Sequence, residues 1–386
     1  MRWRVAALLP LVVGPSLASC GPGPAAQPQA SASPRARLRL APAAPLAFAR
    51  ATAPREIRLP RDHGPHFEFQ TEWWYYTGQL AARDGRRFGF QLTFFRRGLS
   101  PGPPPVAGLA TNQVYFAHFA ITDVEAQAHS SAERVSRGAA GLAGSSGDPF
   151  RVFVEDWSAG SAGADGSSVH LTAQDQGLVL DLELRATKPL VLHGDRGLSA
   201  KSGEPGNASF YVGYTRMAAR GRIGADGQGA EAAGEAWFDH EWSTSALGAR
   251  AVGWDWWSLQ LDDGRELMFF EIRRQDGGRD PASSGTLVAV DGRTKRLAAA
   301  DVEAVATGSW TSPRSGARYP ARWRLRIPAE DLDVEIEPLV ADQELQTSFT
   351  YWEGAVRVSG TLRGRPLSGR GYVELTGYAR SMQGVF

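Results

Sequence analysis

Two stretches of the sequence share the same order of features, and this repeat is the strongest constraint on the fold. The first is EWWYYTGQLAARDGRRFGFQLTFFRR (72–97), and the second is DWWSLQLDDGRELMFFEIRR (255–274). Each begins with an acidic residue and two tryptophans, continues to Asp-Gly-Arg, and returns through an apolar segment with two phenylalanines to two arginines. Asp-Gly is typical of tight hairpin turns, so each stretch predicts two antiparallel strands. Chance similarity between aromatic hairpins is the alternative, but the shared order indicates an internal duplication, with one β-domain over 56–244 and another over 245–386.

The rest of the chain after residue 56 also predicts strands. Segments 114–123, 169–186 and 322–328 alternate or stay apolar over short lengths, which is typical of β-strands. No long amphipathic helix is visible, and the 44 glycines and 24 prolines suit many short turns. We therefore predict an all-β protein of two consecutive antiparallel β-barrel or sandwich domains. Closure into a barrel removes exposed strand edges, and a small barrel holds one apolar ligand or is filled by side chains.

The N-terminus resembles a bacterial lipoprotein signal. Arg2 and Arg4 precede an apolar segment (5–17) that is too short, and too interrupted by proline, to span a membrane permanently. The segment ends in Leu-Ala-Ser-Cys, which resembles a lipobox, so we predict a signal peptide over 1–19 and lipidation of Cys20. Cys20 is the only cysteine in the chain. The alternative is a plain secretory signal with a cysteine at this position by chance.

The segment that follows the signal predicts a membrane-attached protein. Residues 20–55 are rich in alanine and proline, which favours an extended tether between a lipid anchor and a folded body. Gly21 after the cysteine favours the outer membrane over the inner one, with the protein facing the periplasm of the bacterial cell envelope. The formal net charge is +1, so no basic surface for nucleic acid is expected.

The segment EAWFDHEWST (235–244) places three titratable residues between two tryptophans. Side chains alternate between the two faces of a strand, so the segment predicts two different surfaces. One face carries an imidazole between aromatic rings, and the other carries two carboxylates beside one indole. The first face consists of Phe238, His240 and Trp242, and the second of Trp237, Asp239 and Glu241.

The repeated hairpins add further candidate site residues. Asp255 shares a face with Trp257 and two leucines, so this face is expected to point inward. Burial disfavours a charged carboxylate and raises its pKa, which would allow Asp255 to act as an acid near neutral pH. The alternative is a structural carboxylate paired with an arginine. In the first hairpin Glu72, Trp74 and Tyr76 share a face, and we expect them to fill the core or to line a pocket.

Other catalytic machinery is not predicted. His63 and His66 are close in sequence, but Gly64 and Pro65 between them exclude a regular helix. No clear third ligand is near, so we expect no metal. The sequence has no Gly-x-Ser-x-Gly element, P-loop or dinucleotide-binding glycine fingerprint, and we expect no cofactor.

Four long motifs, in order over residues 60–386, are similar to one known family. They are HGPHFEFQTEWWYYTGQL, HGDRGLSAKSGEPGNASFYVGYTR, GEAWFDHEWST and YWEGAVRVSGTLRGRPLSGRGYVELTGY. They resemble the AttH/CrtC family of carotenoid 1,2-hydratase-like and hydroxyneurosporene-synthase-like proteins. This resemblance implies two consecutive lipocalin-like domains and, in some members, addition of water to an isoprenoid double bond without a cofactor. Many bacterial members are lipoproteins or secreted proteins linked with ABC transport systems.

The resemblance also implies site residues. Hydratase members use a His-x-Trp pair, which His240 and Trp242 match, and a downstream Tyr-x-Asp element. The nearest candidate for that element is Gly253-Trp254-Asp255. Its tyrosine is absent, so the resemblance supports acid chemistry on an alkene more than hydration of a carotenoid in particular.

These residues suit hydration of an alkene in a dry pocket where the two barrels meet. The reaction needs a neutral acid, aromatic faces for the carbocation and a base for water. We expect Asp255 to be the acid, and His240 or Asp239 to orient the water. The substrate is expected to be a lipophilic small molecule of isoprenoid or lipid type. The candidate binding residues are Trp242, Trp254, Trp257, Trp74, Tyr76 and Glu72.

Two other functions are compatible with the sequence. A lipid-anchored pair of barrels could carry a lipophilic ligand to an ABC transporter without catalysis. A secreted hydrolase is the second alternative, although no nucleophile is visible. A metal-dependent hydrolase would need His63 and His66 near His240.

Overall fold

The regular structure of the protein is almost entirely β, as the short alternating segments predict. Among the described residues, no helix is long and apolar enough to cross a membrane. The predicted signal peptide (1–19), Cys20 and the tether as far as residue 46 lie outside the described residues. The computed structural model describes residues 47–105, 109–163, 166–245 and 247–384.

The strands form two sheets that follow one another along the chain. The first sheet contains β1 (Thr71–Ala82), β2 (Arg87–Gly98), β3 (Gln113–Asp123), β4 (Ala128–Arg137), β5 (Ala143–Gly147), β6 (Phe150–Val154), β7 (Trp157–Ser161), β8 (Ser168–Asp175), β9 (Leu178–Ala186), β10 (Val191–Leu192), β11 (Leu198–Ala200), β12 (Ala208–Gly224) and β13 (Ala230–Ser243). The second sheet contains β14 (Ala251–Leu261), β15 (Glu266–Arg274), β16 (Ser284–Val288), β17 (Thr294–Ala298), β18 (Glu303–Thr311), β19 (Arg318–Ile327), β20 (Leu332–Pro338), β21 (Glu344–Gln346), β22 (Thr350–Leu362) and β23 (Arg365–Leu375). Short 3-10 helices lie at Arg61–His63, Ala299–Asp301 and Pro328–Glu330.

Both repeated stretches form the predicted hairpins. β1 pairs with β2 along its length, and β14 pairs with β15. Gly85 and Gly264 lie in the two turns at φ 90° and 85°, a conformation that glycine adopts without the steric penalty of a side chain. The predicted strands at 114–123 and 322–328 correspond to β3 and β19, and the segment 169–186 forms the β8–β9 hairpin.

The two sheets connect their first and last strands in the same way. The order of the first sheet is β4-β3-β2-β1-β13-β12-β9-β8-β7-β6-β5, and the order of the second is β17-β16-β15-β14-β23-β22-β20-β19-β18. In each sheet the strand that comes first in the chain therefore lies beside the strand that comes last. β1 pairs with β13, and β14 pairs with β23, both in antiparallel register. The first sheet is a nearly closed barrel and the second is a half-barrel. The predicted all-β fold of two consecutive lipocalin-like domains is thus confirmed.

Each hairpin presents one face to its own domain and the other face to the boundary between the domains. Trp74 and Tyr76 are buried in the core of the first barrel, and Trp257 is buried in the core of the second. Tyr75 and Trp256 point to the opposite faces and belong to a third apolar cluster between the sheets. Burial of a large apolar side chain contributes about 1.5–3 kcal/mol. The boundary is therefore a core that holds the two domains together.

Polar contacts also cross this boundary from the first strand of each hairpin. Gln79 donates hydrogen bonds of 2.8 Å to one carbonyl oxygen of β22 and one of β23. Gln260 donates hydrogen bonds of 2.9 Å to one carbonyl oxygen of β12 and one of β13. The buried carboxylate of Glu266 forms ion pairs with Lys188 and Arg216 of the first domain, at 2.8 Å and 2.6 Å. These contacts fix the orientation of the walls on either side of the boundary.

The C-terminal part of the predicted tether packs against the first barrel. Ala51 is buried, and the backbone nitrogen of Ala49 donates to the carbonyl oxygen of Glu68 at 2.8 Å. Arg55 forms an ion pair with Asp62 at 3.2 Å. Residues 49–55 therefore contact the folded body, although the predicted tether runs to residue 55.

Candidate functional site

A cavity lies between the two sheets, on the strand faces that do not fill the barrels. Its free volume is about 80 Å³, and its lining residues come from both sheets. Aromatic rings form most of the wall, and four carboxyl groups and one lysine are the ionisable groups beside the tyrosines. The aromatic lining residues are Trp73, Tyr75, Phe95, Tyr211, Trp254, Trp256, Phe270, Phe349 and Tyr351.

Asp239 lines the cavity from the middle of β13, and its side chain is held by an aromatic hydroxyl. The Tyr211 hydroxyl donates to Asp239 Oδ2 at 2.6 Å, and Trp256 Nε1 of the second domain donates to the Tyr211 oxygen at 3.0 Å. Asp239 is 3% exposed. Burial, with the nearby charge of Glu241, raises the pKa of Asp239 to about 8. The carboxyl group is therefore neutral at neutral pH and can act as a proton donor.

The other oxygen of Asp239 faces an imidazole and a glycine. His193 Nε2 lies 3.8 Å from Asp239 Oδ1, and neither atom has a hydrogen-bond partner among the described residues. Burial lowers the pKa of His193 to about 3, so the imidazole is neutral. A Cβ atom at Gly213 would lie 2.3 Å from Asp239 Oδ1. Glycine at this position therefore provides the space that the carboxyl group occupies.

Two more carboxyl groups lie opposite each other on β22 and β23. Glu353 and Glu374 are cross-strand neighbours. The Tyr75 hydroxyl of the first domain donates to Glu353 Oε1 at 2.6 Å, and Trp254 Nε1 donates to Glu374 Oε2 at 2.9 Å. Burial raises the pKa of Glu374 to about 7, and burial together with the charge of Glu374 raises the pKa of Glu353 well above its ordinary value. Each neutral acid in the cavity thus has its own aromatic donor.

Lys201 supplies the positive charge in the wall. Its Nζ lies 2.9 Å from Glu241 Oε1 and 4.4 Å from the centre of the Phe270 ring. This ion pair is a fixed charged group at one side of the wall. The arrangement as a whole offers carboxyl groups beside aromatic faces, which suits proton transfer to an apolar substrate.

His240 lies on the opposite face of β13, inside the first barrel, and is not among the residues that line the cavity. Its Nε2 is 2.9 Å from Glu72 Oε1, and Glu72 also bonds His66 Nδ1 at 2.8 Å and Arg96 Nε at 2.9 Å. Burial opposes ionisation of Glu72, but Arg96 and the histidines hold its pKa well below the ordinary value. Burial lowers the pKa of His240. Trp242 stacks on His66 with ring centres 3.8 Å apart.

The same cluster has the spacing of a metal site, but its contacts favour an ion network. The candidate ligand atoms of His66, Glu72 and His240 lie within 4.8 Å of one another. His66 thus lies near His240, as the metal-dependent alternative requires, whereas His63 packs beside Phe238. The Glu72 carboxylate already accepts hydrogen bonds from four donors, one of them a guanidinium. A metal ion would have to displace them.

Asp255 lies in the second barrel and not in the cavity between the domains. Its Oδ1 accepts from Arg273 Nε at 2.8 Å, and its Oδ2 accepts from the Tyr378 hydroxyl at 2.8 Å. Burial raises its pKa to about 6, although the charge of Arg273 opposes this. The predicted raised pKa and the predicted arginine partner are therefore both present. The expectation that Asp255 and His240 share one chamber is wrong, because the two side chains point into different barrels.

The repeat explains the positions of these residues. Glu72 pairs with Arg96 in the first domain as Asp255 pairs with Arg273 in the second. In each hairpin the acid and the second tryptophan point into the barrel, and the first tryptophan lines the cavity. Asp239 and Trp254 are therefore the predicted site residues that line the cavity. Trp242, Trp257, Trp74, Tyr76 and Glu72 are buried in the barrels.

Sequence reasoning missed several residues of the cavity. Tyr211, Tyr75, Glu353 and Glu374 come from strands whose partners the sequence pattern does not identify. Alternation alone would have placed Tyr75 on the face of β1 opposite Trp74. The pairing of its hydroxyl with Glu353, which is 278 residues away, has no local signal.

These features define a class of protein with two lipocalin-like domains and an acid-bearing aromatic cavity between them. The AttH-like family model matches residues 50–378, and the chain belongs to this family. The crystal structure of a Nitrosomonas europaea protein assigned as AttH is 32% identical, with a TM-score of 0.77 over 86% of this chain and 100% of that one. Kievitone hydratase from Nectria haematococca is 16% identical, with a TM-score of 0.65 over 87% of this chain and 98% of that one, and this likeness concerns the fold alone. A comparison with curated proteins gives no match.

Proposed function

We propose that the protein binds a lipophilic alkene in the cavity between its domains and catalyses cofactor-free hydration or isomerisation of the double bond. The observation that carries this proposal is the group of buried carboxyl groups with raised pKa values, each bonded to an aromatic donor, in a wall rich in aromatic residues. A carboxylic acid that stays protonated at neutral pH is what protonation of carbon requires. A purely apolar carrier does not need such groups, since each of them makes burial less favourable.

Asp239 is the proton donor in this proposal. Its Oδ2 accepts the Tyr211 hydroxyl, and in the neutral form the carboxyl group carries one proton. The π electrons of the alkene form a C–H bond with that proton, and the positive charge appears on the neighbouring carbon. Trp254 and Trp256 line the cavity and can stabilise the cation with their ring faces. Water then adds to give an alcohol, or loss of a different proton gives the isomerised alkene.

The resemblance to hydratases supports the proposal. Kievitone hydratase, by its name, is a hydratase of kievitone, and it shares the tandem fold over 87% of this chain. The family resemblance read from the sequence also includes hydratases of isoprenoid double bonds.

The proposal is tested by isotope incorporation. Native mass spectrometry of the purified protein would first show whether a lipophilic molecule co-purifies. The protein is then incubated with citronellol, farnesol or kievitone in water enriched in ¹⁸O or deuterium, and the products are analysed by mass spectrometry. We expect label in the product with the wild type, none with Asp239→Asn, and retained labelling with Asp255→Asn, because Asp255 lies outside the cavity. Tight binding of a co-purified molecule without any labelling would support the alternative of a carrier linked with an ABC transport system.

We also propose that the protein is held at the periplasmic face of a bacterial membrane, with the outer membrane favoured, through a lipid on Cys20. The support is the lipobox-like sequence before Cys20 and the absence of any other cysteine in the chain. A membrane-attached protein would meet lipophilic substrates where they are concentrated. Fractionation of bacterial cells that express Cys20→Ser tests this proposal.

A further inference from the structure

A second polar chain leads away from the cavity, from Tyr351 through His118 to Glu133. Tyr351 lines the cavity, and its hydroxyl lies 2.8 Å from His118 Nδ1. His118 Nε2 lies 2.9 Å from Glu133 Oε1. Ser348 donates to Glu133 through both its backbone nitrogen, at 3.0 Å, and its hydroxyl, at 2.9 Å. None of these residues is used in the protonation step described above.

The direction of the hydrogen bonds follows from the chemistry of the groups. Although burial raises it, hydrogen bonds from His118 and Ser348 hold the pKa of Glu133 below its ordinary value, so Glu133 is a carboxylate and can only accept. Nε2 of His118 therefore donates, and Nδ1 is left to accept from the Tyr351 hydroxyl. This is the order of a carboxylate, an imidazole and a hydroxyl in which the imidazole serves as a base.

This series of hydrogen-bonded side chains also extends from the cavity to the surface of the protein. His118 is fully buried on β3, whereas the Glu133 side chain on β4 is 19% exposed. The rings of Phe95 and Phe349 pack against the imidazole, with ring centres 5.2 Å and 5.0 Å away. The imidazole is thus kept from water except through its two polar neighbours.

We propose that Tyr351 is the catalytic group that accepts a proton from the attacking water, with His118 and Glu133 as its positioning residues. This inference rests on the proposed function. The water oxygen forms a bond to the carbocation, and one water proton passes to the Tyr351 oxygen as the Tyr351 proton passes to His118 Nδ1. His118 becomes an imidazolium that the Glu133 carboxylate stabilises, and its Nε2 proton leaves through Glu133 to solvent. Asp239 regains a proton from solvent. His118 regains its Nε2 proton from solvent through Glu133 as its Nδ1 proton returns through Tyr351 to water, so each turnover adds one water molecule and leaves the protein unchanged.

A structural function for the same contacts is the competing explanation. Tyr351 and Ser348 belong to the second domain, and His118 and Glu133 belong to the first, so the chain could serve only to join the domains. The two explanations differ in what the contacts control. A purely structural contact between the domains affects stability and binding, whereas a proton acceptor affects turnover and its dependence on pH.

The test uses Tyr351→Phe and Glu133→Gln in the full-length protein, with Tyr115→Phe as the matched control. Tyr115 lies on the same strand as His118. Its hydroxyl forms a hydrogen bond of 2.8 Å with Ser145, and Tyr115 is not among the residues that line the cavity. Formation of labelled product from citronellol, farnesol or kievitone gives kcat and KM, and anilinonaphthalene sulfonate fluorescence gives binding to the cavity. We expect Tyr351→Phe to lower kcat by about 100-fold or more, with probe binding and KM within about threefold of the wild type. Tyr115→Phe should leave kcat unchanged.

The pH profile separates the positioning function from a structural one. The titratable groups that face His118 are Glu133 on β4 and Tyr351 on β22, and Tyr351 in turn faces the carboxyl groups of Glu353 and Glu374. Burial lowers the pKa of His118, and Glu133 opposes this. Turnover needs neutral His118, so it should fall at acid pH, and Glu133→Gln should move this fall to lower pH while lowering kcat by about tenfold.

The outcomes distinguish this inference from the proposed function. If the wild type forms labelled product and both variants keep its kcat and pH profile, the Tyr351 inference is overturned and the function stands. Glu133→Gln could instead lose probe binding and thermal stability without a change in the pH profile. That result would also overturn the Tyr351 inference, in favour of a purely structural contact between the domains. If the wild type forms no labelled product from any of the three substrates, the proposed function itself fails.

Discussion

Asp239→Asn should make the protein more stable at neutral pH, although it removes an acid from the site. Burial raises the pKa of Asp239 from 3.8 to about 8. Between these pH values the folded protein retains a proton that the unfolded chain has released, so the free energy of unfolding falls as the pH rises. Each pH unit corresponds to about 1.4 kcal/mol. At pH 7 the raised pKa of Asp239 therefore lowers the free energy of unfolding of the wild type by on the order of 4 kcal/mol. This loss reaches its full value only above the folded-state pKa.

Asparagine avoids this penalty with little change in shape. Its carbonyl oxygen can accept the hydrogen bond that Tyr211 gives to Asp239 at 2.6 Å. Its amide group can donate toward His193 Nε2, which is 3.8 Å from Asp239 Oδ1 and has no hydrogen-bond partner among the described residues. We therefore expect Asp239→Asn to exceed the wild type by about 4 kcal/mol at neutral pH and to differ by less than about 1 kcal/mol near the unfolded-state pKa.

Urea unfolding, followed by tryptophan fluorescence across this pH range, measures the difference directly. The matched control is Asp195→Asn, since the Asp195 side chain is 57% exposed, and its stability difference from the wild type should be small and flat. For Asp239→Asn the difference should grow by about 1.4 kcal/mol per pH unit. A difference that stays constant with pH would show that Asp239 is ionised in the folded protein. The neutral acid, and with it the proposed protonation step, would then be refuted.

Three further predictions concern the rest of the molecule. Gly213→Ala should lower turnover by about 100-fold, because the added Cβ would lie 2.3 Å from Asp239 Oδ1. Gly160→Ala is the control and should not lower turnover, since the nearest atom to its added Cβ is 3.6 Å away. Equal rates in the two variants would contradict the proposed position of the acid. Glu72→Gln should reduce the free energy of unfolding by about 3 kcal/mol, because it leaves a buried guanidinium without its ion-pair partner, and a loss below about 1 kcal/mol in urea unfolding would argue against a buried ion network. Cys20→Ser should move the protein from the membrane fraction to the soluble fraction of a bacterial host, and continued sedimentation with membranes would exclude the lipid anchor.

Alternation along single strands predicted much of the fold, because it depends only on neighbouring residues. The segment at β13 was correctly divided into two faces, one with His240 and one with Asp239. The Asp-Gly turns and the repeated hairpins also follow from local chemistry. Two consecutive antiparallel β-domains could therefore be predicted before any strand partner was known.

The choice of face for the site could not be predicted in the same way. Both faces of β13 are buried, one by the first barrel and one by the second domain, so burial alone does not distinguish them. The donors Tyr211 and Tyr75 reach the cavity only through the pairing of β12, β13 and β1. The repeat contained an unused signal, because Asp255 corresponds to Glu72 and both acids share a face with the second tryptophan, which fills a barrel.

The contacts of Gln79 and Gln260 have a consequence for the origin of the chain. Each glutamine lies on the first strand of its own domain and bonds the last two long strands of the other domain, so the two domains contact each other through corresponding strands in both directions. Reciprocity of this kind is the mark of an interface between identical subunits related by a twofold axis. Gene fusion of a symmetric dimer leaves this pattern. A pocket that two identical chains once formed together is then formed by a single chain.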